Sequence, residues 1–148
     1  VFSIIIFFEQ VRRFVVVANY NWKNNDTKQV ICVDFDGVLH DYSKGKWVDY
    51  SIASGPEIPG AIRWLKSLVD NRRFIVKIYS YRSKWHEGHV AIRHWLKEHG
   101  LSERYLEKIE FPYYKPVSFV TIDDRCIKFD GKNYPSIEEI DGFESWLE

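Results

Sequence analysis

Cysteine is scarce in this chain. Cys32 and Cys126 are the only two among 148 residues, each inside an apolar run. Two thiols make no disulfide framework, which excludes a small secreted, disulfide-stapled fold and favours a reduced, cytoplasmic setting. Excess charge of either sign is also missing: 21 basic residues offset 21 acidic ones. That excludes a bulk electrostatic grip on nucleic acid or on an acidic membrane and leaves room only for a local basic patch. No apolar run approaches the ~18 residues needed to span a bilayer. The nearest, Val1 to Phe8, is interrupted by Glu9 and Gln10 and has neither the basic leader nor the cleavage site of a signal peptide. Methionine is absent altogether, so the first residue is read as a non-Met start or a truncation point. What remains is 45% hydrophobic, 28% charged and rich in aromatics, the make-up of one ordinary globular domain. A chain of this length can bury roughly 70% of its unfolded surface.

Residues 1–28 are read as an N-terminal extension of uncertain status, and 29–148 as the domain. Ile4, Phe7, Phe8, Val11, Phe14, Val15 and Ala18 have helical spacing, but their β-branched and aromatic character suits a strand equally. Asn19 to Lys28 is a polar linker. From residue 29 strand and helix signals alternate. Val30–Phe35 reads as a buried parallel strand that ends before Gly37. Residues 40–58 lack periodicity and read as a flap. Pro59 opens a helix whose face is Ile62, Leu65, Leu68 and Val69. Phe74–Tyr79 is a second strand, and Trp85–His99 a second helix stopped by Gly100. Ser118–Ile122 is a third strand, Ile127–Phe129 a short fourth, and Ser136–Leu147 a last helix with a Ser136/Glu139 capping box. This order predicts an α/β fold, a three-layer α/β/α sandwich on a mainly parallel, Rossmann-like sheet.

In such folds chemistry gathers at the carboxyl ends of the strands. Those ends carry Asp34, Asp36 and Gly37; Ser80, Tyr81 and Arg82; and Asp123, Asp124 and Arg125, with Lys115 just upstream of the third strand. Carboxylates crowded at one sheet edge repel one another, and a hard divalent cation relieves the repulsion. Such a cation shields a phosphate while a carboxylate attacks it, and a hydroxyl and a lysine can hold the phosphoryl oxygens. Gly37 lets the backbone turn tightly beside that phosphate.

Val-Asp34-Phe-Asp36-Gly-Val-Leu, Ser80, Lys115 and Ile-Asp123-Asp124 resemble, in order and spacing, the four motifs of the haloacid dehalogenase (HAD) superfamily. Ser-Tyr-Arg-Ser and Ile-Asp-Asp-Arg resemble in addition the phosphatase domain of phage polynucleotide kinase and small phage and bacterial HAD hydrolases. The resemblance implies a Mg²⁺-dependent phosphomonoester hydrolase working through an aspartyl-phosphate. Asp34 would be nucleophile and metal ligand. Asp36 would handle protons and offer its backbone carbonyl to the metal, and Asp123 and Asp124 would complete the metal site. Ser80 and Lys115 would hold the phosphoryl group, helped by Tyr81, Arg82 and the backbone near Gly37. The implied substrate is a nucleotide or a nucleic-acid 3′-phosphate end. Pro116 places Lys115 on a loop, and no segment is long enough for a large cap.

Several residues carry two readings. Arg82 is a surface charge or a phosphate ligand; Arg125 pairs with a local carboxylate or touches substrate. His40 packs locally or lines the pocket. Trp47 and Tyr50 pack the flap down or stack on a base. His86 and His89 lie three apart, short of the i, i+4 spacing of a zinc site, and read as solvated helix residues. Cys32 and Cys126 read as buried thiols. Among other functions, a receiver domain needs an Asp where Ser80 stands, and a nucleotide-sugar transferase leaves Lys115 and the Asp123–Asp124 pair unexplained. The alternative kept is a catalytically silent domain that binds phosphate or a partner.

Overall fold

The computed structural model describes residues 28–44 and 48–146. The reading of residues 1–27 as an extension and the role of Trp47 lie outside the described residues. Three strands form a parallel sheet: β1 (Gln29–Val33) in the centre, β2 (Phe74–Ile78) on one side and β3 (Val120–Ile122) on the other. Ile31 pairs with Val76 and Val120, and Val33 with Ile78 and Ile122. Ile31, Cys32 and Val33 are all buried. Successive side chains on a strand point to opposite faces, so both faces of β1 are covered at this level. β3 is less covered, with Val120 exposed.

Helix α1 (Ala61–Asp70) begins two residues after Pro59 and packs against β2. No side chain caps it from Gly60; instead Glu57 accepts a 2.9 Å bond from the Ile62 amide, satisfying an orphan donor with a negative charge. Ile62 and Leu65 are buried, with Leu68 and Val69 packed beside them, as the spacing predicts. Helix α2 (His86–Glu98) ends at Gly100, where Leu101 N–H reaches Leu96 O and Gly100 N–H reaches Lys97 O. These two bonds close the Schellman arrangement and turn Leu101 into the core. A short helix, α3 (Glu103–Leu106), follows.

The core joins Phe35 and Leu39 after β1 to Leu65, Ile78, Ile92, Trp95, Leu96 and Leu106. Trp95 sits at its centre, edge-on to Phe35 at 5.1 Å, with its indole N–H donating to Gly55 O at 2.9 Å. Trp95→Ala is expected to cost about 3–5 kcal/mol in a urea titration. Trp95→Phe should cost roughly 1–2 kcal/mol, because it keeps most of the volume but strands the Gly55 carbonyl.

The carboxyl-terminal part departs from expectation. Ile127–Phe129 is not a strand: both end residues are exposed, and among the described residues no neighbouring strand offers the run a ladder. The last helix, α4 (Ile137–Asp141), has the capping box, with Glu139 N–H on Ser136 Oγ and Ser136 N–H on Glu139 Oε2, but it ends at Gly142. The result is a mixed α/β unit on a small, three-stranded sheet. Among the described residues no helix is long and apolar enough to cross a membrane.

Two residues are placed differently from expectation. Cys32 is buried, but Cys126 is exposed, because the apolar run that follows it never joins the core. His89 is buried rather than solvated: it shares the inner face of α2 with Ile92 and Leu96, and its Nε2 lies 2.7 Å from Ser83 O.

Candidate active site

β1 delivers Asp34 immediately past its last residue. The Asp34 amide donates to Ile122 O at 2.9 Å, tying the two strand ends together. The chain then turns on Phe35 O, which accepts from the amides of Leu39 and His40 at 3.0 and 2.9 Å. Gly37 lies inside this turn at φ +87°. A Cβ there would overlap the carboxyl group of Asp124. The glycine is therefore required by the approach of a carboxylate, and its own N–H donates to His40 O rather than facing the cleft.

β2 delivers Ser80, which is buried. Its Oγ accepts from the Arg82 amide at 3.1 Å, and its amide donates to Ser83 Oγ at 3.0 Å, which winds Tyr81–Lys84 into one 3₁₀ turn. An accepting hydroxyl keeps its proton, so Ser80 can still donate to an anion. β3 delivers Asp123 and Asp124. Asp123 Oδ1 accepts from the Arg125 amide, and Asp124 Oδ2 accepts from Ser145 Oγ at 2.8 Å.

Asp34, Asp123 and Asp124 converge. Each offers a carboxylate oxygen, and these oxygens all lie within 4.8 Å of one another. Asp124 Oδ1 is buried without a hydrogen-bond partner among the described residues. A buried carboxylate oxygen with no donor is costly unless a cation meets it, so the three residues fit a hard divalent ion held by oxygen ligands. The Asp36 carboxylate stands outside this trio. Arg82 donates to it twice, Nε to Oδ2 at 2.8 Å and Nη2 to Oδ1 at 3.0 Å, and His40 Nδ1 lies 2.8 Å from Oδ1.

A cleft of about 310 Å³ opens beside the trio, walled by Asp34, Asp36, Ser80 and Asp124 together with Tyr42, Tyr81 and Arg125. Lys115, on a loop as Pro116 requires, lines a smaller recess of about 110 Å³ with Asp34, Ser80 and Asp123. Hence Asp34, Asp36, Ser80, Tyr81, Lys115, Asp123 and Asp124 all border connected or adjoining space at the strand ends. The Arg82 guanidinium is buried and bonded to Asp36 and to flap carbonyls, and the Gly37 amide donates to His40 O. His40 sits behind Asp36 rather than on the cleft wall. Arg125 reaches the Tyr42 hydroxyl at 3.1 Å, and Tyr50 stacks on Trp85 at 4.2 Å, packing the flap down.

Sequence reasoning missed Ser145 and Trp146. Ser145 donates to Asp124 Oδ2, and Trp146 Nε1 donates to Gly37 O at 2.8 Å, so both residues brace the carboxylate cluster. Neither lies in a motif, and only the fold brings them there.

Burial, opposed by the Phe35 amide and reinforced by the charges of Asp123, Asp36 and Asp124, pushes the Asp34 carboxyl from 3.8 up to about 7. The native state then holds this proton more tightly than the unfolded chain. The group's contribution to stability is complete below pH 4, declines as pH rises, and is lost above about pH 7. Asp34→Asn removes that loss. The metal-free variant should match the wild type near pH 4 and exceed its Tm at pH 8 by roughly 5 °C or more. Saturating Mg²⁺ should raise the wild type and narrow the gap, as differential scanning fluorimetry would show.

Comparison with known proteins adds nothing to this geometry: no family model, no curated protein and no solved structure matches the chain.

Proposed function

We propose that this chain is a Mg²⁺-dependent phosphomonoester hydrolase of the haloacid dehalogenase type, acting through an aspartyl-phosphate. The observation that carries the reading is the convergence of Asp34, Asp123 and Asp124 within 4.8 Å, beside the Ser80 hydroxyl, around an Asp124 Oδ1 that has no hydrogen-bond partner among the described residues. Asp34, Asp123 and Asp124 would hold Mg²⁺, with the Asp36 backbone carbonyl. Bound there, the ion supplies charge neutralisation to a phosphoryl group under attack.

Asp34 attacks phosphorus, and the bond to the leaving oxygen breaks. Asp36, on the cleft wall, gives that oxygen a proton and then takes one from the water that cleaves the acyl phosphate. Ser80 donates to a phosphoryl oxygen and Lys115 neutralises charge from the neighbouring recess. A raised Asp34 carboxyl is a poor nucleophile while protonated, so the reading requires cation binding to return it to the carboxylate.

The three-layer sandwich, the absence of a large cap and the cytoplasmic setting belong to the same reading. An uncapped cleft suits a bulky ester, and the favoured substrate is a nucleotide or a nucleic-acid 3′-phosphate end. The test is hydrolysis of p-nitrophenyl phosphate with Mg²⁺ and with EDTA: turnover with the metal and none with the chelator is expected. Absence of turnover under both conditions would leave a catalytically silent phosphate- or partner-binding domain. Comparing 3′-phosphorylated oligonucleotides, free nucleotides and sugar phosphates then tests the substrate class, and equal kcat/KM on all three would remove the nucleic-acid preference.

A further inference from the structure

We propose that Arg82 and His40 are positioning residues that hold the Asp36 carboxylate in a single orientation and tie it to the flap. The inference rests on the reading of Asp36 as proton donor.

Arg82 is 1% exposed, which is exceptional for an arginine at the end of a strand beside a cleft. Its planar fork grips Asp36 through both carboxylate oxygens, at 2.8 and 3.0 Å. Its remaining terminal nitrogen, Nη1, donates to the carbonyls of Asp49, Tyr50 and Ile52 at 3.0, 3.1 and 2.7 Å. His40 repeats the pattern from the other side: Nδ1 meets Asp36 Oδ1, and Nε2 lies 2.9 Å from Ser54 O. Each partner of the carboxylate thus has its other side on the flap.

Both partners are themselves fixed. The His40 ring stacks on Phe35 at 5.2 Å and meets Trp95 edge-on at 5.5 Å. The Arg82 backbone is locked by the Ser80 hydroxyl at its amide and by the Trp85 amide at its carbonyl. Gly88 of α2 packs so closely over that carbonyl that a Cβ would overlap it. An acid that must reach a leaving oxygen within hydrogen-bond distance gains from such fixation, because rotation of the carboxylate otherwise misplaces the proton.

A phosphate ligand and a positioning residue respond differently to the leaving group. A 2,4-dinitrophenolate departs without a proton; an alkoxide does not. The experiment measures kcat/KM for 2,4-dinitrophenyl phosphate and for glycerol 2-phosphate, with Mg²⁺, in the wild type, Arg82→Gln, Arg82→Lys and Asp36→Asn. Both esters are read on one preparation, so their ratio is independent of the fraction folded. Arg82→Gln should lose about 10²-fold or more on the alkyl ester and less than about tenfold on the activated one. Asp36→Asn should show the same skew, enlarged. Arg82→Lys, which keeps the charge but not the fork, should fall between wild type and Arg82→Gln.

If Arg82→Gln does not accumulate as folded protein, His40→Asn carries the comparison, with an expected change in the ratio of about fivefold. Equal losses on the two esters in the Arg82 or His40 variants overturn the proposal. A wild type inactive on both esters overturns the underlying hydrolase reading instead, and the two failures are thereby distinguished.

Discussion

Asp34→Asn is expected to abolish Mg²⁺-dependent hydrolysis, lowering kcat at least about 10⁴-fold, while the protein stays folded. The amide has nearly the volume of the carboxyl group, and its oxygen can still accept the 2.7 Å bond from the Phe35 amide. What it cannot do is attack phosphorus or contribute charge to the Asp123–Asp124 pair. The double outcome separates chemistry from folding. A dead variant that melts above the wild type at pH 8 has lost a nucleophile, whereas a dead variant that melts far below it has lost its structure. Steady-state rates and a thermal melt on the same preparation check both.

The second large effect is expected at Gly37, a residue with no reactive group. Gly37→Ala places a methyl where the Asp124 carboxyl now lies, in a backbone conformation of φ +87° that alanine resists. The carboxylate must move, and the Ser145 bond that orients it must stretch or break. Stability should fall by about 1–3 kcal/mol. Cation affinity by isothermal titration should fall at least about tenfold, in the range found when a group orienting a metal ligand is lost. Ser145→Ala tests the same carboxylate without the backbone strain: affinity should drop with little change in the urea midpoint. If Gly37→Ala bound the cation as the wild type does, Asp124 would not be a ligand.

The parts legible in the sequence are those governed by local pattern. The apolar run of β1, the helical spacing of Ile62, Leu65 and Leu68, and Gly100 as a stop each reflect physics that acts within a few residues. So do the strand ends as a place to look for chemistry: Asp34, Ser80, Asp123 and Asp124 meet where a parallel sheet brings its carboxyl ends together. The errors fall where distant packing decides. Ile127–Phe129 has strand composition but, among the described residues, no neighbour to pair with. His86 and His89, three apart, read as solvated because they miss the spacing of a zinc site, and the spacing that mattered was His89 with Ile92 and Leu96, which marks a buried face. The burial of Arg82 is not legible because its partners lie 46 residues away on Asp36 and about 30 away on a flap without periodicity. Ser145 and Trp146 reach the site only because α4 stops at Gly142 and the chain turns back.

Stereochemistry at phosphorus tests the double displacement most directly. The wild type would hydrolyse, with Mg²⁺, an aryl phosphorothioate monoester carrying ¹⁶O and ¹⁸O in known configuration in H₂¹⁷O, and ³¹P NMR, after stereospecific transfer to a nucleotide, would read the configuration of the chiral inorganic thiophosphate. Two successive in-line displacements, first by Asp34 and then by water, give net retention. Inversion would mean that water attacks the ester directly, and the covalent role assigned to Asp34 would be wrong.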